Sequence, residues 1–181
     1  MSASRPLSFE TRAVHAGREE FGTLCVHAPP LDLSTTYPIP DLDQGSASFD
    51  ALAKGEATAA NPIYARLFNP TVARAETAVA NLEGVSACVA FSSGMAALSA
   101  LLMAVRASGA SHILAVRPLY GTSDTLLGSG LLGLECEFVH ADEIAGKLRA
   151  DTGLVMIETP ANPTLDLVDI AAVAAAAGEV P

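Results

Sequence analysis

The stretch Ser92-Ser93-Gly94-Met95 joins an apolar segment to a long run of good helix formers. Small residues at a helix start leave backbone N–H groups free, and the positive end of the helix dipole favours an anion there. Gly94 would allow a ligand to approach the backbone closely. The stretch lacks the Gly-Lys-Ser/Thr of a Walker A loop, so it predicts either another kind of anion site or an ordinary serine N-cap.

A second stretch, YARLFNPT, carries Tyr64 and Arg66 close together in a segment with prolines on both sides. An arginine offers a permanently charged, bidentate clamp for a phosphate or a carboxylate. The alternative is a surface arginine paired with an acidic side chain. The pattern therefore indicates a loop that can hold an anion, without excluding a purely structural ion pair.

Two more candidates follow predicted strands. Tyr120 stands beside Gly121, where its ring could stack on a flat ligand or could simply pack at the end of the strand. The stretch ETPANPT contains Glu158 and Asn162, and the Asn162 amide could bond a ligand oxygen or initiate a turn.

Composition and charge disfavour several classes of function. The chain has 181 residues and a formal net charge of −10, which argues against nucleic acid and anionic membranes as partners. Its four histidines and three cysteines form no HxxxH, HExxH or CxxC pattern, so no metal site is predicted. The widely spaced cysteines are typical of reduced, mostly buried thiols in a cytosolic protein.

One segment has the length and the lack of charge of a membrane span, from Gly84 to Val105. Its central FSSG and its richness in alanine and serine favour a buried strand, turn and helix instead. The first residues contain no apolar segment of the kind found in secretory signals, and we expect a cytoplasmic protein.

Residues 1–45 have an irregular, proline-rich pattern that predicts an extended arm, with a short helix at Phe9–His15. Such a segment usually runs extended over a surface, either of its own subunit or of another one. A second short helix is predicted at Ser48–Lys54. Pro70 predicts the start of an amphipathic helix that ends at Gly84.

From residue 87 onward, strands and helices alternate. The predicted strands are 87–91, 112–116, 135–140 and 154–158, and the predicted helices are 94–107, 121–132, 143–149 and 169–177. Continuous apolar strands alternating with helices predict an α/β fold, with a mainly parallel sheet covered by helices on both faces. In such folds ligands bind at the carboxyl ends of the strands, which is where the candidate residues fall.

The order of the motifs TRAVHAG, PPLDLSTTY, YARLFNPT, NLEG, SSGMAA, LYGTSDTLL and ETPANPTLDLVDI resembles the Cys/Met-metabolism family of pyridoxal-phosphate (PLP) enzymes. This family includes cystathionine γ-synthases, cystathionine γ-lyases and methionine γ-lyases. The resemblance is collinear from Thr11 to about Gly178. It implies a fold-type-I, aspartate-aminotransferase-like PLP-binding domain and a homotetramer built from paired dimers.

The resemblance also implies roles for the candidate residues. The cofactor phosphate would lie on the N–H groups of Gly94 and Met95, next to Ser93. Tyr64 and Arg66 would reach that phosphate from a neighbouring subunit.

Two further residues would contact the pyridine ring. Tyr120 would stack on the ring and Asn162 would bond its hydroxyl oxygen, and the catalytic residues in this chain would be Tyr120 and Tyr64. The family also needs a lysine that forms a Schiff base with PLP and an acid that holds the pyridine nitrogen protonated. The only lysines are Lys54 and Lys147, and neither stands in a family motif.

The resemblance places the missing lysine and acid beyond the part that matches this chain. We therefore expect 46–181 to be an incomplete PLP-binding domain, truncated before its end and without a C-terminal domain. The chain would be the N-terminal part of an enzyme that acts on a sulfur amino acid or an activated homoserine. The alternatives are a non-catalytic remnant, a partner subunit that lends Tyr64 and Arg66, or a simple phosphate-binding module.

The reaction within the family stays open between β- or γ-elimination and γ-replacement. The FNPT motif favours the γ-acting branches. Thr122 stands where some methionine γ-lyases carry cysteine, which points away from that activity.

Overall fold

The computed structural model describes residues 7–56 and 59–181. These residues fall into two compact units that divide after Ala90. Residues 1–6 of the predicted arm lie outside the described ranges. The predicted boundary at residue 45 separates an arm that contacts another subunit from the PLP-binding domain. It stays a prediction.

Four helices make up the regular structure described for the first unit. They are α1 (Phe9–His15), α2 (Phe21–Leu24), α3 (Leu42–Ala53) and α4 (Pro70–Glu83). The predictions of α1 and α4 are confirmed, and Gly84 ends α4 with φ +72°, a conformation that suits glycine. Helix α3 begins six residues earlier than predicted because the Asp41 carboxylate caps it, accepting the Gln44 N–H at 2.8 Å.

The arm leaves several large apolar side chains exposed. Leu33 is 89% exposed, and Leu31 and Leu42 are nearly as accessible. Isolated exposed leucines are normal on a protein surface, and several within one short segment are compatible with a segment that another chain covers. The inter-subunit role of the arm stays a prediction.

The second unit is built on a parallel sheet with strand order β2-β1-β3. Its elements are α5 (Gly94–Ala107), β1 (His112–Val116), α6 (Gly121–Gly128), β2 (Glu135–Val139), a 3₁₀ turn (Ala141–Glu143), α7 (Ile144–Lys147), β3 (Thr152–Met156) and α8 (Ile170–Ala177). Strand β1 is central and all five of its residues are buried. The predicted α/β fold is confirmed.

Both faces of the sheet are covered by helices, as predicted. On one face, Ile113 and Ala115 pack with Leu102 of α5 and Leu127 of α6. On the other face, Leu114 and Val116 form a second core cluster that includes Ile144 of α7 and Val173 of α8. Alternate residues of β1 therefore point into two separate cores, which is why its sequence is continuously apolar.

The predicted strand at 87–91 is wrong. These residues are extended but form no strand in the structure, and Val89 and Phe91 are 70% and 46% exposed. A strand needs a hydrogen-bonded neighbour, and the described sheet consists of β1, β2 and β3. Residues 87–91 therefore have the apolar composition of a strand, but they lack a hydrogen-bonded neighbouring strand.

Other element ends also differ from the prediction. Helix α6 stops at Gly128, four residues early, because the following turn runs through Gly130 with φ +65°. Strand β2 ends one residue early, and α7 is a single turn because Leu148 adopts an extended conformation. Strand β3 begins and ends two residues early, since Thr152 pairs with His112 of β1.

Among the described residues, no helix combines the length and the apolar character needed to cross a bilayer. The uncharged stretch from Gly84 to Val105 is divided between extended residues and the 14-residue helix α5.

Candidate functional site

The candidate residues of the second unit gather at the edge of the sheet where β1 and β3 end. These strands are adjacent and parallel, so the loops after them leave the sheet on the same side. Tyr120 follows β1, and Asn162 follows β3. The start of helix α5 lies near the start of α6 at this edge, as the distance of 3.7 Å between the Ser123 hydroxyl and the Met95 sulfur shows. Gly94, Met95, Tyr120 and Asn162 therefore belong to the same unit, and their common role in a cofactor site stays a prediction.

Ser93 is the N-cap of α5. Its hydroxyl oxygen accepts the Ala96 N–H at 3.1 Å, which satisfies one of the free donors of the first turn. The helix itself provides no acceptor for the N–H groups of Gly94 and Met95. The serine cap and the anion site, first considered as alternatives, are therefore compatible, because they use different N–H groups.

The space in front of Gly94 is open. A Cβ atom built on Gly94 would meet no atom within 4 Å beyond its own helix and chain neighbours. The residues before it are also exposed. A phosphate-sized anion can approach this helix N-terminus without displacing other groups, so the arrangement fits a phosphate.

Tyr120 is the N-cap residue of α6, and 49% of its surface is exposed. Its backbone N–H donates to Glu158 Oε2 at 2.7 Å, which fixes the main chain at this position. An exposed tyrosine on a fixed backbone suits a flat ligand better than the alternative of packing in the core.

Asn162 lies in a tight loop that is anchored by the backbone of the fully buried Ala161. The Ala161 N–H donates to the Asp166 carbonyl at 3.0 Å, and the Leu165 N–H returns to the Ala161 carbonyl at 2.7 Å. The Asn162 N–H donates to Glu158 Oε1 at 3.3 Å, while the residue itself is exposed. The residue is part of a turn, as the structural alternative proposed, and it is also accessible to a ligand.

Tyr64 and Arg66 belong to the first unit, where the arm positions them. The Tyr37 N–H donates to the Ile63 carbonyl at 3.1 Å, and the Ala65 N–H donates to the Thr35 carbonyl at 2.9 Å, which makes an antiparallel bridge.

The Arg66 guanidinium lies over the Tyr64 ring, 5.2 Å from its centroid. In the described residues Arg66 takes part in no ion pair, so the alternative of a surface salt bridge is not observed. The contribution of both residues to a cofactor site stays a prediction.

The two lysines are not arranged as nucleophiles. Lys147 donates to Glu137 Oε1 at 2.6 Å, and this carboxylate raises the pKa of the ammonium group. A raised pKa keeps Lys147 protonated, and a protonated amine cannot attack a carbonyl. Lys54 is the exposed C-cap of α3 in the first unit.

All three cysteines are free, and the expectation of mostly buried thiols was wrong. Cys25 is exposed, and Cys88 and Cys136 are half-buried. Burial raises the pKa of the Cys136 thiol to about 11, so it stays protonated and unreactive. Among the described residues, no three His, Cys, Asp or Glu side chains are grouped to hold a metal.

Two residues organise this edge without having been predicted to do so, Glu158 and Ser123. Glu158 joins the loops of Tyr120 and Asn162, and Ser123 links α6 to α5. An acid placed directly after a buried strand was the available signal for Glu158. Nothing in the sequence distinguishes Ser123 from the other small residues of LYGTSDTLL.

The family model described as "Cys/Met metabolism PLP-dependent enzyme" matches residues 10–180. L-methionine gamma-lyase from Streptomyces avermitilis is 55% identical over 175 residues, covering 96% of this chain and 42% of the relative. L-methionine gamma-lyase from Brevibacterium sandarakinum is 51% identical, covering 95% of this chain and 44% of the relative. The chain thus spans less than half the length of these curated relatives.

Solved structures with the same fold include cystathionine gamma-lyase from Lactobacillus plantarum complexed with L-serine, with a TM-score of 0.74 and 28% identity. MetB from Corynebacterium glutamicum gives a TM-score of 0.72, also at 28% identity. Each alignment covers 94% of this chain and 42% of the solved chain.

Proposed function

The chain belongs to the Cys/Met-metabolism family of PLP-dependent enzymes, and on that premise we propose that it forms the cofactor-binding part of a lyase that breaks carbon–sulfur bonds. The observation that carries the proposal is the open N-terminus of α5 at the same edge of the sheet as the exposed Tyr120 and Asn162. These three features are an anion site, an aromatic face and an amide, which match the three parts of a phosphorylated pyridine ring.

Different residues of this chain would bind different parts of the cofactor. The N–H groups of Gly94 and Met95 hold the phosphate, with Ser93 fixing the first turn of the helix. Tyr120 covers one face of the ring, and the Asn162 amide bonds the ring hydroxyl oxygen. When bound, PLP supplies an electron sink that stabilises negative charge developing on the substrate.

Tyr64 and Arg66 would complete the phosphate site from a neighbouring subunit. The guanidinium supplies a full positive charge, and the Tyr64 ring beneath it limits the directions in which Arg66 can point. Tyr64 and Tyr120 are the catalytic residues of this proposal, since both would touch the cofactor. The same assembly makes the protein a homo-oligomer, and we retain the homotetramer and the cytoplasmic location as parts of the proposal.

The preferred substrate is an amino acid with a sulfur on its γ-carbon, such as L-methionine. Support comes from relatives named L-methionine gamma-lyase at 49–55% identity, against 28% for the solved structures named above. Thr122 pointed away from this activity. We give the similarity over the whole chain more weight than that single position on α6, and we keep γ-replacement as the alternative reaction.

A second candidate, a non-catalytic subunit, is favoured by one observation. Lys147, the lysine of the second unit, is bonded to Glu137 at 2.6 Å and stands in no family motif. A chain of this kind would bind the cofactor without turning over a substrate, and it would lend Tyr64 and Arg66 to a full-length partner.

The proposal predicts that the 181-residue chain binds pyridoxamine 5′-phosphate. This probe has the ring and phosphate of PLP but no aldehyde, so it cannot react with Lys54 or Lys147. Calorimetric titration should give saturable binding that weakens about tenfold in Tyr120→Ala, because the ring loses its stacking partner. Phe49→Ala, which removes an aromatic ring of similar exposure outside the predicted site, is the matched control. Equal affinity in Tyr120→Ala, or no saturable binding by the wild-type chain, would contradict the proposal.

A further inference from the structure

Glu158 is the point at which two loops of the candidate site are joined. It lies two residues after β3 and is partly buried. One carboxylate oxygen accepts the Tyr120 N–H at 2.7 Å, and the other accepts the Asn162 N–H at 3.3 Å. Both oxygens are therefore engaged by main-chain donors that come from the ends of different strands.

The Tyr120 bond has no substitute within its own element. Tyr120 is the N-cap of α6, and the first N–H groups of a helix have no acceptor inside that helix. A carboxylate at this position also complements the positive end of the helix dipole. A hydrogen bond to a charged acceptor is stronger than one between neutral groups, so Glu158 determines the position of this main chain.

Other hydrogen bonds hold the Asn162 loop to its own residues, but these bonds do not connect it to the loop that follows β1. The Ala161 bonds attach it to Leu165 and Asp166 of the same loop, and the Thr159 hydroxyl accepts the Val168 N–H at 3.0 Å. The Glu158 carboxylate is the link between this loop and the one that carries Tyr120. It thereby sets the separation between the two residues.

We propose that Glu158 is a positioning residue for the cofactor ring, which fixes the distance between the stacking Tyr120 and the ring-edge Asn162. The inference rests on the proposed function. Glu158 acts through the backbone of both residues. Glu158 should affect the binding of the ring and not that of the phosphate. Its hydrogen bonds within the described part of the chain go to Tyr120 and Asn162, and none of these goes to the N-terminus of α5.

Two probes separate this role from a purely structural one. Pyridoxamine 5′-phosphate needs both the phosphate site and the ring site, whereas inorganic phosphate needs only the N-terminus of α5. Glu158→Gln keeps the size of the side chain but leaves only one acceptor oxygen, and Glu158→Ala removes both. Glu179→Gln makes the same change of charge at an exposed position of the same unit and serves as the matched control.

Calorimetry should show that Glu158→Gln binds pyridoxamine 5′-phosphate about tenfold more weakly than the wild-type chain, with a larger loss in Glu158→Ala. Inorganic phosphate should bind all variants within about twofold, since its site is independent of the Glu158 bonds. The circular dichroism band of the bound pyridoxamine ring should also change in Glu158→Gln, because the ring is no longer held in one orientation. Glu179→Gln should match the wild-type chain in every measurement.

Nuclear magnetic resonance of the backbone amides tests the two Glu158 hydrogen bonds without any ligand. In the isotope-labelled chain, the amide proton resonances of Tyr120 and Asn162 should shift in Glu158→Gln and should stay in place in Glu179→Gln. Unshifted resonances would overturn the inference, as would equal losses for both probes or no loss for either. If the wild-type chain failed to bind pyridoxamine 5′-phosphate while the resonances shifted as expected, the proposed function would fall and the cofactor role of Glu158 with it.

Discussion

At the scale of single residues, Gly94 is a position where a substitution should affect ligand binding much more than folding. Its backbone is helical, and a Cβ at this position would point into open space. Alanine is also the better helix former, so the fold gains or loses little from the exchange. We therefore expect the lack of a side chain at Gly94 to matter for an anion that approaches the helix N-terminus.

We predict that Gly94→Ala weakens the binding of inorganic phosphate and of pyridoxamine 5′-phosphate about tenfold, because the methyl group keeps the anion away from the free N–H groups. The melting temperature should stay the same or rise slightly. Calorimetry and thermal unfolding monitor the two effects, with Gly146→Ala on α7 as the control that has equally open space. Undiminished phosphate binding would show that the anion does not lie on this helix.

At the scale of elements, the packing of α5 on β3 depends on Gly153. A Cβ there would collide with the Ala110 side chain and would lie 2.9 Å from Val105 Cγ1. Neither neighbour is the free end of a flexible side chain, because both are packed in or beside the first core cluster. The helix can approach the strand this closely only above a glycine.

Gly153→Ala should therefore lower the free energy of unfolding by about 1–3 kcal/mol, the usual cost of overpacking a core. Urea denaturation measures this change. Gly146→Ala should be neutral or slightly stabilising, since its Cβ meets nothing within 4 Å. Similar effects of the two exchanges would mean that helix propensity and backbone entropy, and not the contact of α5 with β3, decide the result.

The sequence predicted the elements whose neighbours are close in the chain. Helix α5 and strand β1 have the predicted bounds, because a serine cap and a continuous apolar run define them locally. Residues 87–91 were expected to form a strand and do not, since strand formation depends on a distant partner. The start of β3 was displaced for a related reason, its pairing with His112 of β1.

The candidate site divides in the same way. Gly94, Tyr120 and Asn162 were identifiable because each follows a recognisable element and carries a distinctive side chain. The role of Glu158 was not, because its bond to Tyr120 joins residues 38 apart and uses a backbone N–H that every residue possesses. Periodicity and motif spacing contain no signal for such a bond.

At the scale of the whole molecule, the acid sensitivity of folding should depend strongly on His112. Its ring is fully buried at the start of β1, with Nδ1 2.8 Å from the Thr152 hydroxyl and Nε2 3.8 Å from Glu137 Oε2. Burial, followed by the nearby Arg149, lowers the pKa of His112 below its usual value of 6.5. Glu135, Glu137 and Asp151 oppose this shift but do not cancel it.

A lowered pKa means that the folded state binds the proton less readily than the unfolded state. The stability that neutral His112 provides is complete above about pH 6.5, and it declines as the pH falls below that value, by at most about 1.4 kcal/mol per pH unit. Urea denaturation between pH 7.5 and 5 should show this decline in the wild-type chain. The decline should shrink in His112→Gln and persist in the exposed control His27→Gln.

The network around His112 lies at the amino ends of the strands, opposite the candidate site. Hydrogen bonds from Ser111 to Asp151 and from Arg149 to Glu135 strengthen that end, whereas Gly94 and Asn162 at the other end are exposed. The two ends can therefore change independently over generations. We expect replacements at the exposed end to cost less folding stability than replacements in the network around His112.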